Sequence, residues 1–269
     1  MRFLFFLYLI KSFVMQISII QAPLFWENPE VNRNYFSAKI QVIPEETLLV
    51  VLPEMFTSGF TMNPHEVAED MDGETIRWMK ATAMNRNIAI TGSIIIREDD
   101  NYYNRLLFVF PTGEIEYYDK RHLFSLAGED KTYTKGNDKK IINYLGWRIC
   151  PLICYDLRFP VFSRFDDDYD LLIYVANWPQ PRIIAWDTLL KARAIENMTY
   201  VVGVNRVGED ENDNNYPGHS QILDYFGAFM VEPSEKEMVF SVRLDKELML
   251  ANRNKFGFLR DRDRFTLSE

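Results

Sequence analysis

From Met15 onward the chain alternates short, nearly continuous apolar runs with amphipathic stretches. "QISIIQ" (16–21) reads as a first strand, and 27–43, "ENPEVNRNYFSAKIQVI", as a helix with Val31, Tyr35, Ala38 and Val42 on its apolar face. Asn28 followed by Pro29 supplies an N-cap and a first-turn residue for that helix. "TLLVVLP" (47–53) is a strand too apolar to face water on either side. Ile76, Met79 and Ala83 mark a second helix, and "IAITGSIII" (88–96) a third strand. "RLLFVFPTG" (105–113) and "EIEYYDK" (114–120) follow so closely that the spacing predicts hairpins rather than helical crossovers. "IINYLGWRICPLIC" (141–154), "LLIYVAN" (171–177) and "YVVGVN" (200–205) add strands, with a helix carrying Ile183, Trp186, Leu190 and Ala194 between the last two. "EMVFSVRL" (237–244) and a short helix near "KELMLANRN" (246–254) close the chain, and "GEDENDNNYPG" (208–218) is the long polar loop. Buried parallel-type strands mixed with hairpins and separated by helices predict an α/β layered domain.

Composition narrows the function classes. The chain has 269 residues, 47% of them hydrophobic, enough for one large domain with a sizeable core. A formal net charge of −9 repels phosphate backbones and anionic lipid, and no local basic patch offsets it, so neither nucleic acid nor a membrane is an expected partner. His65, His122 and His219 are scattered without a second ligand at metal spacing, so no metal is expected. The two cysteines, Cys150 and Cys154, are separated by three residues on one extended run and are badly placed to bridge each other. Ahead of Met15, residues 1–14 form a basic, apolar segment too short to span a bilayer. Two readings of it stay open: an extension that is disordered or not native, with the domain running 15–269 in the cytoplasm, or an export signal.

Three apolar runs end in a reactive side chain. Glu54 follows "LLVVLP", Lys120 follows "EIEYYD" and Cys154 follows "ICPLI". In open α/β sheets ligands gather beyond the carboxyl ends of strands, which makes a shared site the natural reading of all three together. Taken singly, Glu54 and Lys120 read as solvated loop charges, and Cys150 as a small core residue.

These residues carry a resemblance. "LPEMFTSGF", "YYDKRHLF" and "ICYDLRFP" occur in the order of the three signatures of the nitrilase, or carbon-nitrogen hydrolase, superfamily, and the chain resembles that superfamily over nearly its whole length from Met15. The segment "ANWPQPRIIAWDTLLKARAIENMTYVVGVNRVG" is similar to the bacterial omega-amidase branch, which hydrolyses the side-chain amide of 2-oxoglutaramate and 2-oxosuccinamate. The resemblance implies a four-layer αββα sandwich pairing as a homodimer through its helical face, without a cofactor. It implies Cys154 as nucleophile, Glu54 as the base that takes its proton, and Lys120 with the Tyr155 backbone N–H as oxyanion donors. Glu129 stands where many members carry a second glutamate and would keep Lys120 charged and steer the substrate amide.

An oxo-acid amide also carries a carboxylate, for which Arg158, Arg182 and Arg121 are the nearest cations by motif position. Phe56, Phe60, Phe124 and Trp178 are candidate pocket walls, although aromatics at strand ends are as often plain core. Arg158 has the alternative of pairing with Asp156, and Arg182 that of a solvated charge at a helix start. Two rival readings remain: a Cys-His hydrolase using His122 or His219, and a catalytically silent binding module. Nitrilase and carbamoylase chemistry would use the same Glu, Lys and Cys.

Overall fold

The computed structural model describes residues 13–165 and 168–267; residues 1–12 of the N-terminal segment lie outside them. Strand β1 (Val14–Gln21) opens the described chain, and its first residue, Val14, already pairs with Asp245. Helix α1 (Pro29–Gln41), strand β2 (Leu49–Val51), helix α2 (Glu74–Arg86) and strands β3 (Ala89–Glu98), β4 (Asn101–Val109) and β5 (Ile115–Asp119) follow. The one-turn helix α3 (Glu129–Thr132) precedes β6 (Ile142–Tyr144), β7 (Trp147–Ile153) and β8 (Leu171–Ala176). Helix α4 (Ile183–Asn197) leads to β9 (Tyr200–Asn205), the hairpin β10 (Val207–Glu209) and β11 (Asn215–Pro217), then β12 (Gln221–Leu223) and β13 (Phe229–Val231). Strand β14 (Met238–Asp245) and helix α5 (Lys246–Phe256) complete the order.

The strands form two six-stranded sheets, β14-β1-β2-β3-β4-β5 and β13-β12-β9-β8-β7-β6. Each has three adjacent parallel strands, β1-β2-β3 and β7-β8-β9, continued outward by antiparallel partners. The period-2 alternation of the strands sorts their side chains between two cores. Met15, Ile17, Ile19, Leu49 and Val51 pack into one cluster with Leu152, Ile173, Val202 and Val204 of the second sheet. Ile20, Val50, Ile90 and Leu107 turn the other way onto Phe36 and Ile40 of α1 and Ile76, Met79 and Ala83 of α2. Trp186, Leu190 and Ala194 of α4 join the first cluster from the far side of the second sheet. The result is the αββα sandwich, with the sheets face to face and helices outside.

Several expectations need correction. The buried face of α1 is Asn32, Phe36 and Ile40, while Val31 and Val42 are exposed. Asn32 causes the rotation: its Nδ2 donates to the carbonyls of Phe25, Asn28 and Thr57, and its Oδ1 accepts from the Phe25 N–H. A fully satisfied amide can be buried, and this one takes the stripe's place. The "GEDENDNNYPG" segment is a hairpin rather than an open loop, held by Asp210, which accepts from the N–H groups of Asn212 and Asn214 and from the Tyr216 hydroxyl. The three-residue strands β12 and β13 went unpredicted. Trp186, Leu190 and Ala194 of the predicted helix face are fully buried inside the chain itself.

Helix α4 sits close to its sheet because Gly203 of β9 has no side chain. A Cβ there would lie 2.9 Å from Trp186 Cζ2 and still closer to Leu190 Cδ1. Gly203→Ala should therefore destabilise the protein by about 1–3 kcal/mol through overpacking. The check is a lower urea midpoint at unchanged m value; an unshifted midpoint would show that α4 lifts away without penalty.

Candidate active site

Parallel strands in the middle of a sheet end where their own hydrogen bonding stops, and the chain turns sharply at both sites that follow. Beyond β2 comes Glu54 and then Met55, in the left-handed region at φ 44°. Beyond β7 comes Cys154, itself at φ 44°, opening a short 3₁₀ turn, Cys154–Arg158. Such backbone geometry is costly for a residue with a Cβ and collects at functional sites. The turn after Cys154 is anchored by Asp156. Its buried carboxylate accepts from the Ile153 N–H (2.9 Å), the Tyr118 hydroxyl (2.8 Å) and the His122 N–H (3.1 Å), and lies 2.8 Å from His122 Nδ1. One carboxylate thus ties the strand end carrying Cys154 to the segment on either side of Lys120.

Lys120, Glu54 and Glu129 meet in the interior. Lys120 is 1% exposed and both glutamates are fully buried. Its ammonium donates to Glu54 Oε1 and to both oxygens of Glu129, each at 2.9 Å, and stands 5.3 Å from the centre of the Phe60 ring. Asn104 on β4 reinforces the cluster, with Nδ2 2.8 Å from Glu54 Oε1 and 3.3 Å from Glu129 Oε1. Asn177, one residue past β8, donates its backbone N–H to Glu54 Oε2 (2.8 Å) and its Nδ2 to the Glu54 carbonyl (2.7 Å). Glu129 Oε2 also accepts from the Phe124 N–H at 2.6 Å. The sulfur of Cys154 lies 4.0 Å from the Asn177 carbonyl oxygen.

Electrostatics follow from this geometry. Burial alone would lower the Lys120 pKa, but the charges of Glu129 and Glu54 outweigh it and hold the ammonium protonated, above the ordinary lysine range. Burial pushes the Cys154 thiol well above its ordinary value, the Glu54 carboxylate pushes the same way, and Lys120 only partly opposes them. The resting sulfur is therefore a neutral thiol with a carboxylate acceptor beside it, rather than a standing thiolate. A neutral thiol, a buried carboxylate and a fixed ammonium are the parts needed to make a nucleophile on demand and to hold an oxyanion.

A cavity of about 210 Å³ opens onto Lys120 and Cys154. Phe60, Phe124, Trp178 and Pro179 give it apolar walls, Leu126 and Ala127 border it, and Asn214 and Tyr216 reach it from the β10-β11 hairpin. Tyr155, Arg158 and Arg182 line it as well, so five of the seven substrate-contact candidates and the oxyanion candidate border one space. The Arg158 guanidinium lies 5.0 Å from the Trp178 ring centre and that of Arg182 5.0 Å from Phe124. Among the described residues neither has a carboxylate within ion-pair distance, and Asp156 is engaged elsewhere. Arg121 is not part of the wall: it bonds the Asn137 carbonyl and faces Phe162. Phe56 is core, packed against Phe36 and Trp78.

Neither histidine of the rival reading lines the cavity. His122 is stacked on Phe159 at 3.8 Å, and His219 is 2.9 Å from Asp187. Cys150 is buried core. Asn104, Asn177, Asn214 and Tyr216 escaped the sequence reading. For Asn177 a signal existed, since it ends the apolar run "LLIYVAN" just as Cys154 ends its own.

Residues 16–253 match the family described as carbon-nitrogen hydrolase. A Yersinia enterocolitica protein named Omega-amidase YafV is 43% identical over 257 residues, 94% of this chain and 98% of its own. A Bacillus subtilis 2-oxoglutaramate amidase is 32% identical over 234 residues, 85% of this chain and 90% of its own. Among solved structures, XC1258 from Xanthomonas campestris, described as a CN-hydrolase superfamily protein with an arsenic adduct in the active site, superimposes with a TM-score of 0.92. It is 42% identical and covers 95% of this chain and 99% of its own.

The charge balance around Cys154 has a testable consequence. In the wild-type protein its ultraviolet thiolate absorbance should appear only above the ordinary cysteine value of about 8.5. Glu54→Gln removes the charge that opposes the thiolate, so the same transition should move to lower pH, read against Cys154→Ala as the blank. A transition that stays put or moves upward would mean that Glu54 does not face the sulfur.

Proposed function

We propose a function from one premise, that the chain belongs to the carbon-nitrogen hydrolase family. The protein is an amidohydrolase acting on 2-oxoglutaramate-type substrates, cleaving the side-chain amide of small dicarboxylic acid monoamides and releasing ammonia. The observation that carries this reading is the pair of guanidinium groups, Arg158 and Arg182, unmatched by any described carboxylate on the wall of the cavity that ends at Cys154. One end of the cavity suits a substrate carboxylate and the other the amide. The named activities of the Yersinia and Bacillus relatives support the same assignment.

In the mechanism we infer, the Cys154 thiol attacks the amide carbonyl as its proton passes to Glu54. A carbon–sulfur bond forms, and the negative charge on oxygen falls to the Lys120 ammonium and the Tyr155 N–H in the first turn after the strand, where backbone donors lack intrahelical partners. The carbon–nitrogen bond breaks as Glu54 returns its proton, and ammonia leaves. Water activated by Glu54 then hydrolyses the thioester. Glu129 never handles the reacting atoms in this scheme; with Asn104 it holds Lys120 in place and charged.

We further propose that two copies of the chain pair. Tyr225, Phe226, Phe256 and Phe258 form a row of ring contacts 4.7–5.6 Å apart, and the last three are substantially exposed, an apolar surface that a second copy would cover. The described residues contain no helix long and apolar enough to cross a membrane. Among the described residues Cys150 and Cys154 form no disulfide, which suits the cytoplasm.

Ammonia release from 2-oxoglutaramate, 2-oxosuccinamate, glutamine, an aliphatic nitrile and an N-carbamoyl amino acid tests the assignment, with Cys154→Ala as the blank. Turnover should favour the two oxo-acid amides and vanish in the blank. Arg158→Gln and Arg182→Gln should each raise KM for those amides about 10- to 100-fold, the loss of one charge-assisted contact, with a smaller change in kcat. Preference for the nitrile or the carbamoyl compound would keep the thiol chemistry and overturn the substrate class.

A further inference from the structure

Asn177 touches both halves of the reacting pair. Its backbone N–H and its Nδ2 are spent on Glu54, and its carbonyl oxygen faces the sulfur of Cys154. One polar atom of the side chain is left over. Oδ1 is buried and has no hydrogen-bond partner, although Asn177 is 5% exposed and lines the cavity. A buried amide oxygen without a partner is costly unless something else donates to it. Its orientation is not free to change, because Nδ2 must face the Glu54 carbonyl, an obligate acceptor, which commits Oδ1 to accept.

Besides the Asn177 carbonyl, which faces the sulfur itself, the cavity holds few side chains able to accept an N–H beside the nucleophile. Phe60, Phe124, Trp178 and Pro179 offer no side-chain acceptor, and Lys120 only donates. Asn214 and Tyr216 border the cavity from the hairpin, where their side chains donate to Asp210, outside the network around Glu54. Asn104 also has an unpartnered Oδ1, but it does not line the cavity.

We propose that Asn177 Oδ1 accepts an N–H of the scissile amide and of the departing ammonia, and so selects unsubstituted amides by their leaving group. This deepens the amidohydrolase reading and rests on it. In the acylation step the nitrogen becomes tetrahedral, receives the thiol's proton from Glu54, and carries three N–H bonds as the carbon–nitrogen bond breaks. Glu54 is the partner of the incoming proton. The remaining N–H groups become stronger donors as the nitrogen gains positive charge and meet an acceptor that is already fixed, since Asn177 is held in place by the same glutamate that delivers the proton. An ester of the same acid lacks any N–H at that position, yet forms the same thioester on Cys154.

The test compares the primary amide, the N-methylamide and the methyl ester of one 2-oxo dicarboxylic acid, following ammonia, methylamine or methanol release. Wild-type protein should cleave the primary amide at least tenfold faster than the N-methylamide. Asn177→Ala should lower kcat/KM for the primary amide about 10- to 100-fold more than for the ester, the loss expected of one hydrogen bond to a group gaining charge. Asn177→Ser, with matched thermal unfolding midpoints, repeats the comparison in a side chain that keeps a hydroxyl. If amide and ester fall by the same factor, Asn177 only props Glu54 and the inference is overturned. Equal wild-type rates on primary and N-methyl amides overturn it without any variant. Wild-type protein that cleaves none of the three overturns the amidohydrolase reading itself, a distinct result.

Discussion

The structure is organised around one buried ammonium. Lys120 is almost wholly withdrawn from water and shared between two carboxylates that are withdrawn completely. Taking three charges out of solvent is tolerated only when each finds partners at hydrogen-bond distance, and here every donor and acceptor of the group is drawn from a different part of the chain. Glu54 comes from the first sheet's parallel centre, Lys120 from the end of its antiparallel edge, Glu129 from the one-turn helix beyond, and Asn177 from the second sheet. The cluster is therefore complete only when the two sheets have docked. Burial first, and then the cluster's surplus of negative charge, push the neighbouring Cys154 thiol above its ordinary value.

Asp156 plays the complementary part outside the reactive group. It gathers the backbone of the Cys154 turn, the Tyr118 hydroxyl and the segment after Lys120 into one set of hydrogen bonds. Two unrelated strand ends are thereby held at a fixed separation, which a reaction sensitive to small displacements requires. The positive φ values at Met55 and Cys154 are the local expense of turning the chain sharply enough to expose side chains there.

Much of this was legible in the sequence, for identifiable reasons. Glu54, Lys120 and Cys154 each end an apolar run, and a reactive side chain at the end of a buried strand is visible without coordinates. Glu129 was readable only through its place after Lys120 in a family resemblance, because "GEDKTYTKGN" by itself looks like a solvated turn. Asn104 and Asn177 were missed because an amide within or after a strand gives no periodic signal; their importance lies in partners fifty and more than a hundred residues away. The face of α1 was misjudged because a satisfied Asn32 counts as polar in any pattern and as core in the folded chain. The hairpin at 207–217 looks like a loop in the sequence because its order comes from Asp210 side-chain bonds rather than from apolar alternation.

That hairpin stands apart from both large sheets, joined to the body by a bridge between Pro23 and Val207 and by Arg206, whose guanidinium lies 4.5 Å from the Tyr216 ring centre. It supplies two residues of the cavity wall and none of the charge cluster. Insertions or exchanges at its tip, between Asp210 and Asn214, would alter the shape offered to a substrate while replacing no member of the buried group of Lys120 and its carboxylates. The fold thereby assigns the shape of the acyl pocket and the buried charges to different parts of the chain, so that one short ribbon can be remodelled apart from the group it faces.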